Sequence, residues 1–144
     1  SRQNVKSLPE GTDYQQTRKG AYIVTGSDEQ FDVILVASGS EVSTCVAGAE
    51  LLRKDGVKVR VVSAPSEGLF RRQSKEYQEQ ILPRDAKIFG LTAGLPVTLE
   101  GLVGANGKVF GLNSFGFSAP YTVLDEKLGF TPENVYEQVK AFLA

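Results

Sequence analysis

The chain predicts a three-layer α/β/α domain built on a mostly parallel, mixed sheet of about five strands, and three observations carry that expectation. The run Val33-Ile34-Leu35-Val36 is apolar on both faces, as a central strand covered by helices requires. After it come apolar residues at helical spacing and then the β-branched run Val57-Lys58-Val59-Arg60-Val61-Val62. This is a strand, helix, strand unit whose right-handed crossover makes the two strands parallel. Strand and helix patterns continue to alternate to the end of the chain, which places helices on both sides of one sheet.

Each element has its own local reason. Residues 1–20 are polar, broken by Pro9, Gly11 and Gly20, and show no sustained period, so they read as an arm or linker ahead of a domain at 21–144. Such an arm has little to offset its ordering entropy and is expected to be largely mobile. Tyr22-Ile23-Val24 is a short strand, followed by a turn at Gly26-Ser27-Asp28 and the buried strand within residues 31–37. Val42, Cys45, Val46, Ala49 and Leu52 form one helical stripe, with Arg53 and Lys54 in the last turn and Gly56 where a left-handed cap belongs.

A further helix is expected from about Ser74 to Leu82, pointing Tyr77 and Ile81 inward and stopped by Pro83. Ala86 to Leu91 is a strand, Leu99 to Val103 a short helix within a glycine-punctuated stretch, and Lys108 to Gly111 a last short strand. Thr131 is an N-cap, Pro132 the first helical residue and Glu133 a favourable charge for the helix dipole. Val135, Val139 and Phe142 form the stripe of that final helix.

Composition removes several function classes. A chain of 144 residues can bury about 70% of its unfolded surface without a disulfide or metal staple. With 16 basic and 17 acidic residues the net charge is −1, so no field draws in nucleic acid or anionic lipid, and neither partner is expected. No run approaches the ~18 apolar residues of a membrane span, and residues 1–16 are no secretory signal, so a cytoplasmic location is expected. There is no His to serve as an acid or base near neutral pH, and the lone Cys45 lies among apolar neighbours as a small core side chain. A chain that opens on Ser and contains no Met is expected to be a piece of a longer polypeptide.

The candidate chemistry is sparse. The turn Ser38-Gly39-Ser40-Glu41 joins a strand to a helix start, where free amides can hold an anion; Gly39 and Ser40 are therefore a possible anion site. The more ordinary reading is favoured, because the Glu41 carboxylate repels phosphate and Ser40 reads as a plain helix cap. No Gly-x-Gly-x-x-Gly or phosphate-loop motif occurs, and His and Cys counts exclude ligand clusters built from them. Asp125-Glu126 and Glu76 to Glu79 fall on solvated helix faces. Arg71-Arg72 stands near the carboxyl edge of the second parallel strand, and Phe110, Phe115 and Phe117 read as loop anchors or contacts for another domain. No catalytic residue and no metal site emerge from these residues.

Several motifs, in order, carry a resemblance: Ser1-Arg2-Gln3-Asn4, the run Asp32 to Val42, Arg60-Val61-Val62-Ser63 with Pro65, Phe110-Gly111-Leu112-Asn113 and Gly129-Phe130-Thr131-Pro132-Glu133. Together they resemble the C-terminal domain of the transketolase family. The resemblance weakens at Ser66-Glu67-Gly68-Leu69-Phe70 and at Gly104-Ala105-Asn106-Gly107, where relatives carry other residues.

The family implies an enzyme that moves a two-carbon ketol unit between sugar phosphates in the pentose phosphate pathway, as a homodimer. It also implies thiamine diphosphate and a divalent ion, magnesium or calcium, held by the preceding domains and not by this fragment. Residues 1–20 would then be the arm leading from a pyrimidine-binding domain, and Arg2 would grip the sugar phosphate with its planar, permanently charged fork. The fragment alone would be inactive, serving to cover the middle domain and support the dimer. Three alternatives stand beside this expectation. One is the same domain of another thiamine-dependent enzyme, a deoxyxylulose phosphate synthase or a 2-oxoacid dehydrogenase component. A second is a regulatory module binding a small anion, and a third is a free-standing assembly domain encoded by a split gene.

Overall fold

The computed structural model describes residues 4–26, 30–114 and 116–144. Its five strands are β1 (Tyr22–Thr25), β2 (Val33–Ala37), β3 (Val59–Ser63), β4 (Ile88–Leu91) and β5 (Lys108–Phe110). They form one sheet in the order β1-β3-β2-β4-β5. β2 pairs in parallel with β3 and β4, β4 pairs in parallel with β5, and β1 alone runs antiparallel, with Tyr22 opposite Ser63. The expected mixed, mostly parallel five-stranded sheet is what the chain forms.

The helices are α1 (Glu41–Lys54), α2 (Glu67–Arg71), α3 (Lys75–Ile81), α4 (Val97–Val103), α5 (Tyr121–Leu128) and α6 (Pro132–Leu143). Every residue of β2 is buried, and its period of two divides the core. Val33, Leu35 and Ala37 face α1 and α6, meeting Val42, Cys45, Ala49, Leu52, Val135 and Val139. Ile34 and Val36 face the other way, into a layer with Phe70, Ile81, Leu99, Leu102 and Val103 of α2, α3 and α4. The two layers on a central strand are the reason its sequence is continuously apolar.

Helix ends follow their sequence signals. At the end of α1 the Gly56 amide donates to the Arg53 carbonyl and the Val57 amide to the Leu52 carbonyl, with Gly56 at φ 80°. That six-to-one and five-to-two pairing is the Schellman arrangement, for which a residue without Cβ is favoured. Thr131 accepts from the Asn134 amide at 3.2 Å and caps α6. α1 and α6 approach closely because Gly48 has no side chain: a Cβ there would stand 2.8 Å from Val135 Cγ1.

Three features go beyond the sequence expectation. The arm contains a 3-10 helix, Tyr14–Lys19, capped by Asp13 and closed at Gly20. Its Leu8 also packs against the α1–α6 layer. A polar composition hides such contacts because one apolar anchor among twenty residues makes no period. α2 was not anticipated either; five residues are too few to show a helical repeat, although Ser66 caps it by accepting from the Leu69 amide. Finally, Arg60 lies within β3 yet is only 5% exposed. Its guanidinium donates to the carbonyls of Gly26, Gln80 and Ile81 and stacks over Phe31 at 4.3 Å.

Candidate functional site

In a parallel sheet the loops that follow the strands gather at one edge, and there the backbone amides of helix starts are available to ligands. Here that edge is formed by the turns after β2, β3, β4 and β5. Because β1 is antiparallel and begins opposite the end of β3, the arm also enters the domain there. The strand-to-helix turn at 38–40 lies at its centre.

At this turn Gly39 has φ 63° and Ser40 has helical dihedrals, and Ser40 does not cap α1 through its side chain. This corrects the sequence reading of Ser40 as a cap. Its hydroxyl instead donates to Glu41 Oε1 at 2.8 Å, while Ser43 Oγ donates back to the Ser40 carbonyl at 2.8 Å. A cap needs an extended backbone to turn its oxygen toward the first amides, and Ser40 lacks that geometry. The consequence is chemical: a carboxylate is hydrogen-bonded where an anion would have to sit, and the fixed negative charge opposes binding at Gly39 and Ser40.

The nearby Cys45 is fully buried in α1. Burial, and then the Glu41 charge, pushes its thiol well above the ordinary range, so it has no thiolate to offer and packs as a small core side chain. Arg71 does not reach the carboxyl edge as an open anion ligand. Its Nε donates to Glu67 Oε1 at 2.7 Å along α2, and the guanidinium lies where a Cβ on Gly101 would be, against α4. It lines a hollow of 330 Å³ with Lys75, Glu79 and Arg84, in which Arg84 is paired with Glu79 at 3.7 Å. Arg71 and Arg84 are thus each paired with a carboxylate, of Glu67 and Glu79.

Phe110 stacks edge-on to Phe130 at 5.7 Å and anchors the end of β5, as the sequence suggests. Phe117 does not anchor anything in the core; it is 52% exposed, with the Lys127 ammonium 4.1 Å from its ring. Glu76 and Glu79 lie on α3, and Asp125 and Glu126 on α5, with none buried. Arg2 and Phe115 lie outside the described residues.

Among the described residues no group of three or more His, Cys, Asp or Glu side chains is placed to hold a metal ion. Among the described residues no helix is long and apolar enough to cross a membrane. The arrangement is a well-packed domain with Glu41 beside the central strand-to-helix turn and Cys45 buried beneath it.

Comparison with known proteins gives the context. The family model described as "Transketolase-like TK C-terminal domain" matches residues 20–131. A transketolase of Staphylococcus epidermidis is 44% identical over 144 residues, covering 98% of this chain and 22% of its own length. A solved structure of Pichia stipitis transketolase in complex with sedoheptulose-7-phosphate is 33% identical, with a TM-score of 0.90 over 99% of this chain and 20% of that one. Campylobacter jejuni transketolase is 31% identical, with a TM-score of 0.80 over 95% of this chain and 20% of that one. The chain thus spans about a fifth of the relatives it matches.

Proposed function

Since the chain belongs to the transketolase-like C-terminal domain family, we propose that it is the non-catalytic terminal domain of an enzyme transferring a two-carbon ketol unit between sugar phosphates. The single observation that supports this most is the likeness along nearly the whole chain to a Pichia stipitis transketolase solved with sedoheptulose-7-phosphate, at a TM-score of 0.90. The relatives that carry this domain are named transketolases, which favours that chemistry over a deoxyxylulose phosphate synthase or a 2-oxoacid dehydrogenase component. The regulatory anion-binding alternative is disfavoured by the Glu41 carboxylate at the one helix start it would use.

On this reading the longer protein is a cytoplasmic homodimer of the pentose phosphate pathway. Its preceding domains hold thiamine diphosphate and magnesium or calcium, which supply the carbanion chemistry there. Residues 1–20 lead out of a pyrimidine-binding domain and residues 21–144 form the terminal domain. This domain supports its neighbours, and Arg2, at the junction, grips the phosphate of the sugar through a charge-assisted pair.

The test is made on the longer polypeptide. Arg2→Ala should raise KM for a phosphorylated ketose about tenfold or more, the equivalent of one lost charged hydrogen bond, with kcat nearly unchanged. An unchanged KM would remove Arg2 from the substrate path. Pyruvate decarboxylation in place of ketol transfer would overturn the assignment of the enzyme.

A further inference from the structure

The link between α2 and α3 gathers positive charge around one hydroxyl. In Arg71-Arg72-Gln73-Ser74-Lys75, basic residues stand three and two positions ahead of Ser74 and directly after it. No other serine or threonine in the chain has basic residues at both of those upstream positions. Ser63 has Arg60 three residues ahead, but both are buried in β3. Ser74 and its basic neighbours Arg71, Arg72 and Lys75 are all exposed, while Phe70 and Ile81 hold the flanking helices to the core.

The charges are available to a partner. Arg71 pairs with Glu67 along α2, whereas the side chains of Arg72 and Lys75 pair with no carboxylate among the described residues. Arg71 and Lys75 also line the 330 Å³ hollow beside α4, so the surface next to the link is recessed and polar. The bonds that fold the link over itself lie at the surface: Gln73 Nε2 donates to the Leu69 carbonyl at 3.0 Å and Gln78 Nε2 to the Arg71 carbonyl at 3.2 Å, both exposed. Residues 71–75 can therefore be laid out in an extended groove by a shallow local opening that leaves Phe70 and Ile81 in place. A serine preceded by two fixed positive charges is what a kinase with acidic subsites selects, because charge complementarity sets its register and rejects other hydroxyls.

We propose that Ser74 is a phosphorylation site for a serine kinase that recognises basic residues. The Ser74 oxygen attacks the γ-phosphorus of ATP, and the new O–P bond forms as the bond to the bridging oxygen breaks. ADP leaves, and the hydroxyl proton passes to the base of the kinase. Residues 67–84 carry four basic and three acidic side chains, a net charge of +1; a phosphate adds about −1.5 to −2 and reverses the sign of this face. Arg72 and Lys75, on either side of Ser74, would then pair with the phosphate oxygens. The proposal goes beyond the terminal-domain reading and does not depend on it.

The test incubates this chain, and the longer polypeptide encoded by its gene, with magnesium, ATP and the catalytic domain of a kinase selective for basic residues. Both should gain one phosphoryl group by intact mass, and fragmentation of the peptides should place it on Ser74. Arg71→Ala and Arg72→Ala should each lower kcat/KM for the kinase about tenfold or more, the equivalent of one charge-assisted contact. Ser74→Ala should take up no phosphate. Modification of Ser66 or Ser114 in place of Ser74, or equal rates for the arginine variants, would overturn the proposal. So would uptake only after unfolding in urea, because the folded link would then be closed to a kinase. A longer polypeptide that accepts no phosphate at Ser74 also overturns it, since a neighbouring domain would then cover the link.

Discussion

Two residues bonded to different helix layers, Arg60 to α3 and Asp55 to α6, show how individual side chains hold the domain. Arg60 is buried in β3, and desolvation lowers its guanidinium pKa, yet it stays charged because a guanidinium cannot practically be neutralised. Its donors satisfy carbonyls of Gln80 and Ile81 at the end of α3 and of Gly26 after β1, so one residue joins three elements. Arg60→Met should cost about 2–4 kcal/mol in urea denaturation, since it leaves buried carbonyls unpaired, and Arg60→Lys should recover part of that. A loss below about 1 kcal/mol would mean that water replaces the guanidinium.

Asp55, after α1, accepts from Tyr136 at 2.6 Å and from Lys140 at 3.2 Å on α6. The Tyr136 hydrogen bond, then that of Lys140, holds the Asp55 carboxyl below its ordinary range, and the Asp55 bond in turn holds the Tyr136 phenol above its own. With the folded carboxylate more acidic than the unfolded one, this contribution is present above about pH 4 and fades as pH falls below it. With the folded phenol less acidic, its share is complete below about pH 10 and is lost as pH rises through the folded value. Tyr136→Phe should therefore flatten the acid arm of a denaturation-midpoint profile and reduce the alkaline arm. What remains at high pH is expected from Tyr77, whose phenol is raised by burial and donates to the Ala21 carbonyl. Identical profiles for the two proteins would show that the pair contributes nothing.

At the scale of elements, the contact of α1 with α6 depends on a missing side chain. Gly48 faces Val135, and the Pro132 carbonyl lies 3.3 Å from where its Cβ would be. Alanine favours a helix over glycine by about 1 kcal/mol, so a helix-only view expects Gly48→Ala to stabilise. Overpacking against Val135 costs about 1–3 kcal/mol and wins. Gly48→Ala should lower the thermal midpoint, and adding Val135→Ala should restore most of it. A raised midpoint for the single variant would show that α6 moves aside freely.

At the scale of the whole molecule, a five-stranded sheet covered on both faces is a sound core, and the proposed reading places the chemistry in the preceding domains. The 144-residue chain should unfold cooperatively in a thermal scan and show no ketol transfer when supplied with thiamine diphosphate, magnesium and sugar phosphates. Turnover by this chain alone would end the terminal-domain reading.

Much of this architecture was legible from local pattern. Four apolar residues in succession at 33–36 require burial on both faces. Gly56 and Thr131 mark helix ends because their backbone and hydroxyl chemistry act within a few residues. What stayed hidden depends on partners distant along the chain. The antiparallel direction of β1, the interior position of Arg60 and the turning of Ser40 toward Glu41 each follow from which groups are left to pair once the sheet has assembled. Residue order thus settles which faces are apolar and where helices stop, since those are short-range energies. The choice of strand neighbours falls to long-range hydrogen bonding and burial, which no local window contains.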